Sequence, residues 1–74
     1  MKTFTLPILI EKDEDGFYAE CPVLDGCFTQ GDTYEEAVEN IKEAIWLSLK
    51  VMQDYGEKFP DPVDLGLPTV EVAL

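Results

Sequence analysis

The sequence holds few residue types that could carry out catalysis, and the most informative one is missing. Its 74 residues include no histidine, so the usual proton shuttle near neutral pH and the Ser–His and Cys–His nucleophile pairs are absent. The one serine, Ser48, falls on the inward stripe of a predicted helix, and nothing in the sequence supplies a base beside Cys27. We therefore expect a protein that is not an enzyme and that uses no cofactor.

Carboxylates are the remaining candidates for catalysis. Asp13, Glu14 and Asp15 are consecutive and could bind a divalent cation through oxygen ligands. They lack the alternating spacing and the closing glutamate of a calcium loop, so we interpret them as the tip of a hairpin. Asp25 and Asp32 flank a predicted strand, where turn and helix-cap roles account for them. A metal-dependent nuclease acting through these carboxylates is retained only as an alternative.

The two cysteines, Cys21 and Cys27, do not form a recognisable metal or disulfide motif. A zinc site needs about four Cys or His ligands, and a disulfide framework usually has more cysteines. No metal site is predicted, and reduced thiols are the favoured interpretation. Whether the two cysteines pair with each other is left open by the sequence.

The charge balance is strongly acidic, with 16 acidic residues against five basic ones and a formal net charge of −11. Such a chain repels nucleic-acid phosphates, so direct nucleic-acid binding is not expected. It attracts a cationic partner and speeds that encounter, although the charge is also explained by solubility alone. No apolar run approaches the ~18 residues of a membrane span, and no secretory leader opens the chain. We expect a cytoplasmic protein that does not bind membranes.

Three short strands are predicted before a helix. The segment Lys2–Glu11 alternates with period two, and the amide side of Pro7 within it is expected to face outward at an edge or bulge. The turn Asp13–Gly16 leads to a second strand at Phe17–Glu20, and a third follows at Cys27–Gln30. The predicted inward face of the first strand consists of Phe4, Leu6, Ile8 and Ile10.

A single amphipathic helix follows these strands. Thr33 and Glu36 fit a capping box, and the helix is predicted to run to about Tyr55, with Gly56 as the left-handed C-terminal cap. Residues at helical spacing predict one face packed on the sheet. The predicted inward stripe consists of Tyr34, Ala37, Val38, Ile41, Ala44, Ile45, Leu49 and Met52.

A surface connection and a final strand complete the prediction. Three prolines between Glu57 and Pro68 indicate a connection that Phe59 and Leu65 are expected to hold down. The alternation in Thr69–Leu74 predicts a strand beside the first one or across a subunit boundary. The predicted fold is α+β, an antiparallel β-β-β-α-β sheet with the helix on one face, in a single domain spanning residues 1–74.

Apolar residues outside the helix stripe mark a predicted interface. Leu47 and Val51 widen the stripe on one flank, where we expect the margin of the core, and Trp46 lies on the polar side. An exposed tryptophan is costly in water and common at interfaces. The predicted interface with a partner or a second copy comprises Trp46, Leu47, Val51, Glu35, Glu39 and Glu43.

The order and spacing of several short motifs resemble the N-terminal domain of HicB antitoxins. They are the run Glu14–Ala19, Cys21-Pro22 with Leu24, Gly26 and Cys27, then Thr29–Thr33, Glu35–Ala37 and Asn40–Ile45. The resemblance covers about residues 1–55. Each motif alone is weak, and the whole run is fairly specific.

The resemblance implies a partial ribonuclease-H-like fold and a role in binding and inhibiting HicA toxins, which are small basic ribonucleases. The acidic quartet of active ribonuclease H has no counterpart in the sequence. Many HicB antitoxins carry a C-terminal DNA-binding domain, and the chain ends at Leu74 without one, so operator binding is not expected. A stand-alone homo-oligomeric scaffold or binding module is the alternative, based on Trp46, Leu47 and Val51 and the strand-like tail.

Overall fold

Two small antiparallel sheets and one long helix make up the computed structural model, which describes residues 2–61 and 64–74. The predicted α+β class, with antiparallel strands and one helix, is confirmed. The elements, in chain order, are β1 (Thr3–Pro7), β2 (Leu9–Asp13), β3 (Gly16–Glu20), β4 (Phe28–Gly31), α1 (Tyr34–Asp54) and β5 (Thr69–Ala73).

The predicted first strand is two strands that belong to different sheets. Strand β1 pairs with β5, and β2 pairs with β3, with Ile8 between them. Proline has no N–H to donate, so an unbroken ladder does not pass through Pro7. The N–H of Ile8 instead donates to the carbonyl of Pro68 at 2.8 Å. The prediction of one continuous strand is wrong. Pro7 ends β1, which is an edge strand of a two-stranded sheet, so the predicted edge position of Pro7 agrees with the structure, and its side chain is buried.

Strands β2, β3 and β4 form the predicted antiparallel meander. The hairpin turn requires Gly16, whose φ is 140° and whose Cβ, if present, would lie 2.6 Å from the carbonyl oxygen of Gly31. Strand β4 begins at Phe28, one residue later than predicted, and includes Gly31.

The final strand lies beside the first strand of its own chain, which was one of the two predicted placements. Strand β5 pairs along the whole of β1, and the N–H of Leu74 donates to the carbonyl of Lys2 at 2.7 Å beyond the ladder. In the connection, Phe59 packs on Phe4 with 4.9 Å between ring centroids, as predicted. Leu65 is exposed, so its predicted anchoring role is wrong, and residues 62 and 63 of the connection lie outside the described residues.

Side-chain and backbone caps set both ends of α1. The hydroxyl of Thr33 accepts the N–H of Glu36 at 3.1 Å, and the Glu36 carboxylate accepts the N–H of Asp32 at 3.1 Å. The reciprocal bond therefore reaches one residue further back than a capping box predicts. At the other end Gly56 has φ 69°, and the N–H of Glu57 donates to the carbonyl of Met52 at 2.8 Å. These bonds satisfy backbone groups that a helix end leaves unpaired.

The core lies between one stripe of α1 and the inner faces of the two sheets. The predicted stripe is confirmed at its centre, where Ala37, Ile41, Ile45 and Leu49 are fully buried. Tyr34 was predicted to face inward, but it is 47% exposed because it lies in the first turn, where its ring meets only the edge of Phe17. The strands contribute Leu6, Ala19, Val70 and Val72 to this core, and Ile8 and Cys21 join it from positions next to strand ends.

Strand β4 and the start of α1 approach each other so closely that only glycine fits at residue 31. A Cβ on Gly31 would lie 2.5 Å from the backbone nitrogen of Ala37 and 2.9 Å from its Cα. Both contacts are with backbone, which does not rotate away as a side-chain tip does. The absent side chain at Gly31 therefore sets how closely the helix packs on the sheet.

We expect the substitution Gly31→Ala to destabilise the protein by about 1–3 kcal/mol, because the added methyl group pushes α1 away from β4. Urea unfolding followed by circular dichroism measures the change. Gln30→Ala is the matched control, because this side chain is exposed on the same strand. Its removal is expected to change the free energy of unfolding by less than about 0.5 kcal/mol. Equal unfolding midpoints for the two variants would contradict the packing argument.

Candidate functional site

The acidic hairpin tip has a structural role in the fold. One carboxylate oxygen of Asp13 accepts the N–H of Asp15 at 2.8 Å, which stabilises the turn between β2 and β3. Across residues 2–61 and 64–74, no group of three or more His, Cys, Asp or Glu side chains is arranged to hold a metal ion.

The two cysteines are neighbours in the core, and both are free thiols. The N–H of Cys21 donates to the carbonyl of Cys27 at 2.9 Å, so the loop between them closes on itself. Burial raises the pKa of the Cys21 thiol to about 11. Burial also raises the pKa of Cys27, although a hydrogen bond with Ser48 opposes the shift. A buried thiol that holds its proton is a poor nucleophile, so these cysteines act as packing groups.

The predicted interface residues divide between two flanks of α1. Trp46 is 40% exposed and lines a shallow groove between α1 and β5. Glu39 and Glu43 line the same groove, together with Lys42. Glu35 is exposed one turn closer to the start of the helix. The structure therefore brings Trp46 together with two of the three predicted glutamates.

Leu47 and Val51 lie on the other flank and are exposed. Their exposed fractions are 52% and 50%, so the prediction that they form the margin of the core is wrong. They line an open groove of about 830 Å³ between the helix and the loop that contains Val23 and Leu24.

An exposed surface that was not predicted from the sequence lies on the face of the meander turned away from α1. Ala19 and Ile10 pair with each other and point to the core, so their neighbours along each strand point outward. We call this surface the open face, and it consists of Leu9, Glu11, Tyr18, Glu20, Phe28 and Gln30. The sequence predicted a strand at Phe17–Glu20, but only the strand register reveals which residues of β2 and β4 lie beside Tyr18 and Glu20.

Aromatic rings and carboxylates alternate on the open face. The rings of Tyr18 and Phe28 stack diagonally across β3 and β4, with 6.1 Å between centroids and 27° between planes. Phe28 is 61% exposed. Glu11 lies directly opposite Tyr18 in the β2–β3 register, and Glu20 lies opposite Phe28. Partial burial raises the pKa of the Tyr18 phenol, and the charges of Glu20 and Glu11 raise it further.

The helix is too polar for a membrane span. Within residues 2–61 and 64–74, no helix combines the length with the apolar character that crossing a bilayer requires.

Comparison with known proteins identifies relatives across most of the chain. The model of the family described as "HicB_like antitoxin of bacterial toxin-antitoxin system" matches residues 6–70. A UPF0150 protein of Archaeoglobus fulgidus is 44% identical over 66 residues, which cover 88% of this chain and 90% of that protein. The protein "Antitoxin HicB 1" of Photorhabdus laumondii is 32% identical over 75 residues. That match covers 100% of this chain and 48% of the antitoxin, so the chain spans about half the length of this relative.

Solved structures share the fold. A chain of the "HicA3 and HicB3 toxin-antitoxin complex" superposes with a TM-score of 0.69 at 25% identity, covering 95% of this chain and 96% of that one. The N-terminal domain of the Burkholderia pseudomallei antitoxin HicB superposes with a TM-score of 0.76 at 20% identity. That superposition covers 96% of this chain and 98% of the domain, and it shows the fold alone.

The raised pKa of Cys21 predicts a specific loss of stability in alkali. In the unfolded chain the Cys21 thiol ionises near pH 9, whereas in the folded protein it keeps its proton up to about pH 11. Between these two pH values the unfolded chain therefore binds fewer protons than the folded protein. The free energy of unfolding contributed by Cys21 therefore falls as the pH rises through that window. Urea unfolding at several pH values should show a shallower decline for Cys21→Ala than for the wild type. Parallel declines would show that the thiol ionises equally in both states.

Proposed function

Because the chain belongs to the family of HicB-like antitoxins of bacterial toxin–antitoxin systems, we propose that it binds and neutralises a small basic toxin of the HicA type. The observation that carries this proposal is the likeness to a chain of a toxin–antitoxin complex, which extends over 95% of the present chain. A chain that has the fold of one partner in such a complex has a backbone that is able to take the same place.

The charge of the chain supports a basic partner. At a formal net charge of −11, a small acidic body attracts a cationic protein over distances of about the Debye length, ~8 Å at physiological salt. The partners that the family resemblance implies, the HicA toxins, are basic proteins. The attraction raises the rate of association, and its loss at high salt is a property that experiment can measure.

The proposed action is masking rather than catalysis. Burial raises the pKa of both thiols, and the Asp13 carboxylate at the hairpin tip is occupied by a hydrogen bond within the turn. A toxin that acts on RNA is inhibited when a bound protein covers its basic surface, because the phosphates of RNA need the same positive groups. We place this action in the cytoplasm, where RNA and a newly made toxin are found.

Self-association is a second candidate property, favoured by the outward side of α1. Trp46 on one border and Leu47 and Val51 on the other are large apolar side chains that are 40–52% exposed. A small domain gains burial when such groups meet a second copy. Glu35, Glu39 and Glu43 lie between or beside them, and we propose that this predicted interface joins two copies of the chain.

The antitoxin proposal predicts a complex that inhibits cleavage. When a purified HicA-type toxin from the same genome is mixed with this chain, RNA cleavage by the toxin is expected to stop at stoichiometric amounts. The affinity is expected to fall as salt rises from 50 to about 500 mM, because surface charges are then screened. Calorimetry and an RNA cleavage assay measure the two effects. A toxin that remains active with an excess of this chain would contradict the proposal.

The self-association proposal predicts that changes on either border of α1 weaken a homo-oligomer. Two variants are compared with the wild type by sedimentation velocity: the single variant Trp46→Ala, and the double variant that carries Leu47→Ser and Val51→Ser. Each variant is expected to sediment as a smaller species than the wild type. Lys58→Ala is the control, because this exposed side chain lies on the connection after the helix. A wild type that sediments as a monomer at every concentration would refute the proposal.

A further inference from the structure

We propose that the open face is the docking surface for the toxin, and that it receives cationic side chains of the toxin between its stacked rings and its carboxylates. The inference rests on the proposed antitoxin function and adds the site and the chemistry of recognition. It differs from the interface predicted from the sequence, which lies on the other side of the sheet, on α1.

The side chains on the open face form a layout that suits a guanidinium or ammonium group. Tyr18 and Phe28 present two stacked ring faces, and cations are attracted to such faces. Glu11 and Glu20 stand on the neighbouring positions of the same surface, opposite Tyr18 and Phe28 respectively. A cation above the rings therefore lies within reach of two carboxylates, which accept charge-assisted hydrogen bonds from it.

The fold alone does not account for the carboxylates beside the rings. A cross-strand aromatic pair stabilises a sheet without any charged neighbour. Here the register places Glu11 opposite Tyr18 and Glu20 opposite Phe28, so two negative charges border the rings. Desolvation raises the pKa of the Tyr18 phenol, and the charges of Glu20 and Glu11 raise it further. No ion pair with these two glutamates is formed by the basic residues that the structure describes. A partner that brings positive charge supplies what the surface lacks.

Other occupants fit the open face less well. A second copy would place its own Glu11 and Glu20 against the same residues, and none of the six residues of the open face is basic and able to offset this repulsion. The groove on α1 differs, because Lys42 lies beside Glu39 and Glu43 there. Nucleic acid would bring phosphates to carboxylates. The outward side of α1 is less suited to cations, because Lys42 lines the groove beside Trp46 and Lys50 pairs with Asp54 at 3.7 Å.

The size of the face is also consistent with one contact patch. Strands in a sheet are about 4.8 Å apart and residues on one face are about 6.8 Å apart along a strand, so the Cα atoms of the six residues span an area about 10 Å wide and about 7 Å long. Such a patch matches the central group of residues that carries most of the affinity in a protein interface. The rim of the interface would be provided by the hairpin and by the loop before β4.

Two charge-reversed variants distinguish the open face from the helix. The test variant carries Glu11→Lys and Glu20→Lys, and the matched control carries Glu39→Lys and Glu43→Lys on α1. Both change the net charge by the same amount, so the general attraction to a basic protein weakens equally. Calorimetry with a HicA-type toxin from the same genome measures the dissociation constants, and thermal unfolding checks that each variant is folded.

We expect the open-face variant to bind the toxin at least about thirtyfold more weakly than the wild type, and the helix variant less than about tenfold more weakly. Phe28→Ala, which removes an exposed ring without changing charge, is expected to weaken binding by about tenfold or more. Equal losses for the two charge-reversed variants would show that net charge alone acts, and a larger loss for the helix variant would place the toxin on α1. Either result would overturn the inference while the antitoxin function stands.

A peptide probe tests the face without the toxin. Hexa-arginine is titrated into the isotopically labelled chain at low salt, and the aromatic resonances of Tyr18 and Phe28 are expected to shift before the indole resonance of Trp46. If the peptide shifts these aromatic resonances but the wild-type chain does not bind the toxin, the antitoxin function is refuted. The open face would then still be supported as a surface that binds cations. Shifts that are as large at Trp46 as at Tyr18 would overturn the proposed face.

Discussion

The structure depends on one contact, the close packing of α1 against a single face of the sheet. The contact is possible because Gly31 has no side chain where β4 passes Ala37, and it buries the stripe of Ile41, Ile45 and Leu49. The described residues form one long helix, and this helix covers one face of the strands. Within the described residues, the other face of the meander is therefore left without a layer, and the same packing that creates the core also creates the open face.

This constraint connects the fold to the proposed function. An uncovered sheet face is usually made polar, and here it combines two stacked rings with two carboxylates that have no cation of their own among the described residues. In the proposed function, the overall negative charge brings a basic protein close, and the arrangement on the open face selects where it docks. The proposed inhibition follows because a toxin whose positive groups are occupied cannot use them on RNA, and it requires no chemistry within the chain.

Much of this architecture could be predicted from local patterns. Alternation located the strands, the Thr33–Glu36 cap located the start of the helix, and periodicity identified the stripe around Ile41 and Ile45. The errors arose where a distant partner decides the outcome. Pro7 is a local sign of an interrupted ladder, but nothing local shows that β1 pairs with β5 from the other end of the chain. Helical spacing likewise cannot reveal that Leu47 is left exposed. The open face escaped prediction for the same reason, since Tyr18 and Phe28 become neighbours only through the β3–β4 register.

The central claim is that a basic toxin covers the open face, and cross-saturation in nuclear magnetic resonance tests it most directly. The deuterated chain is bound to a protonated HicA-type toxin, the toxin is irradiated, and the loss of signal is followed residue by residue. The account predicts that the loss concentrates on the amides of β3 and β4 around Tyr18 and Phe28, and that α1 around Trp46 and Val51 is spared. A loss concentrated on α1 with the meander unaffected would contradict it.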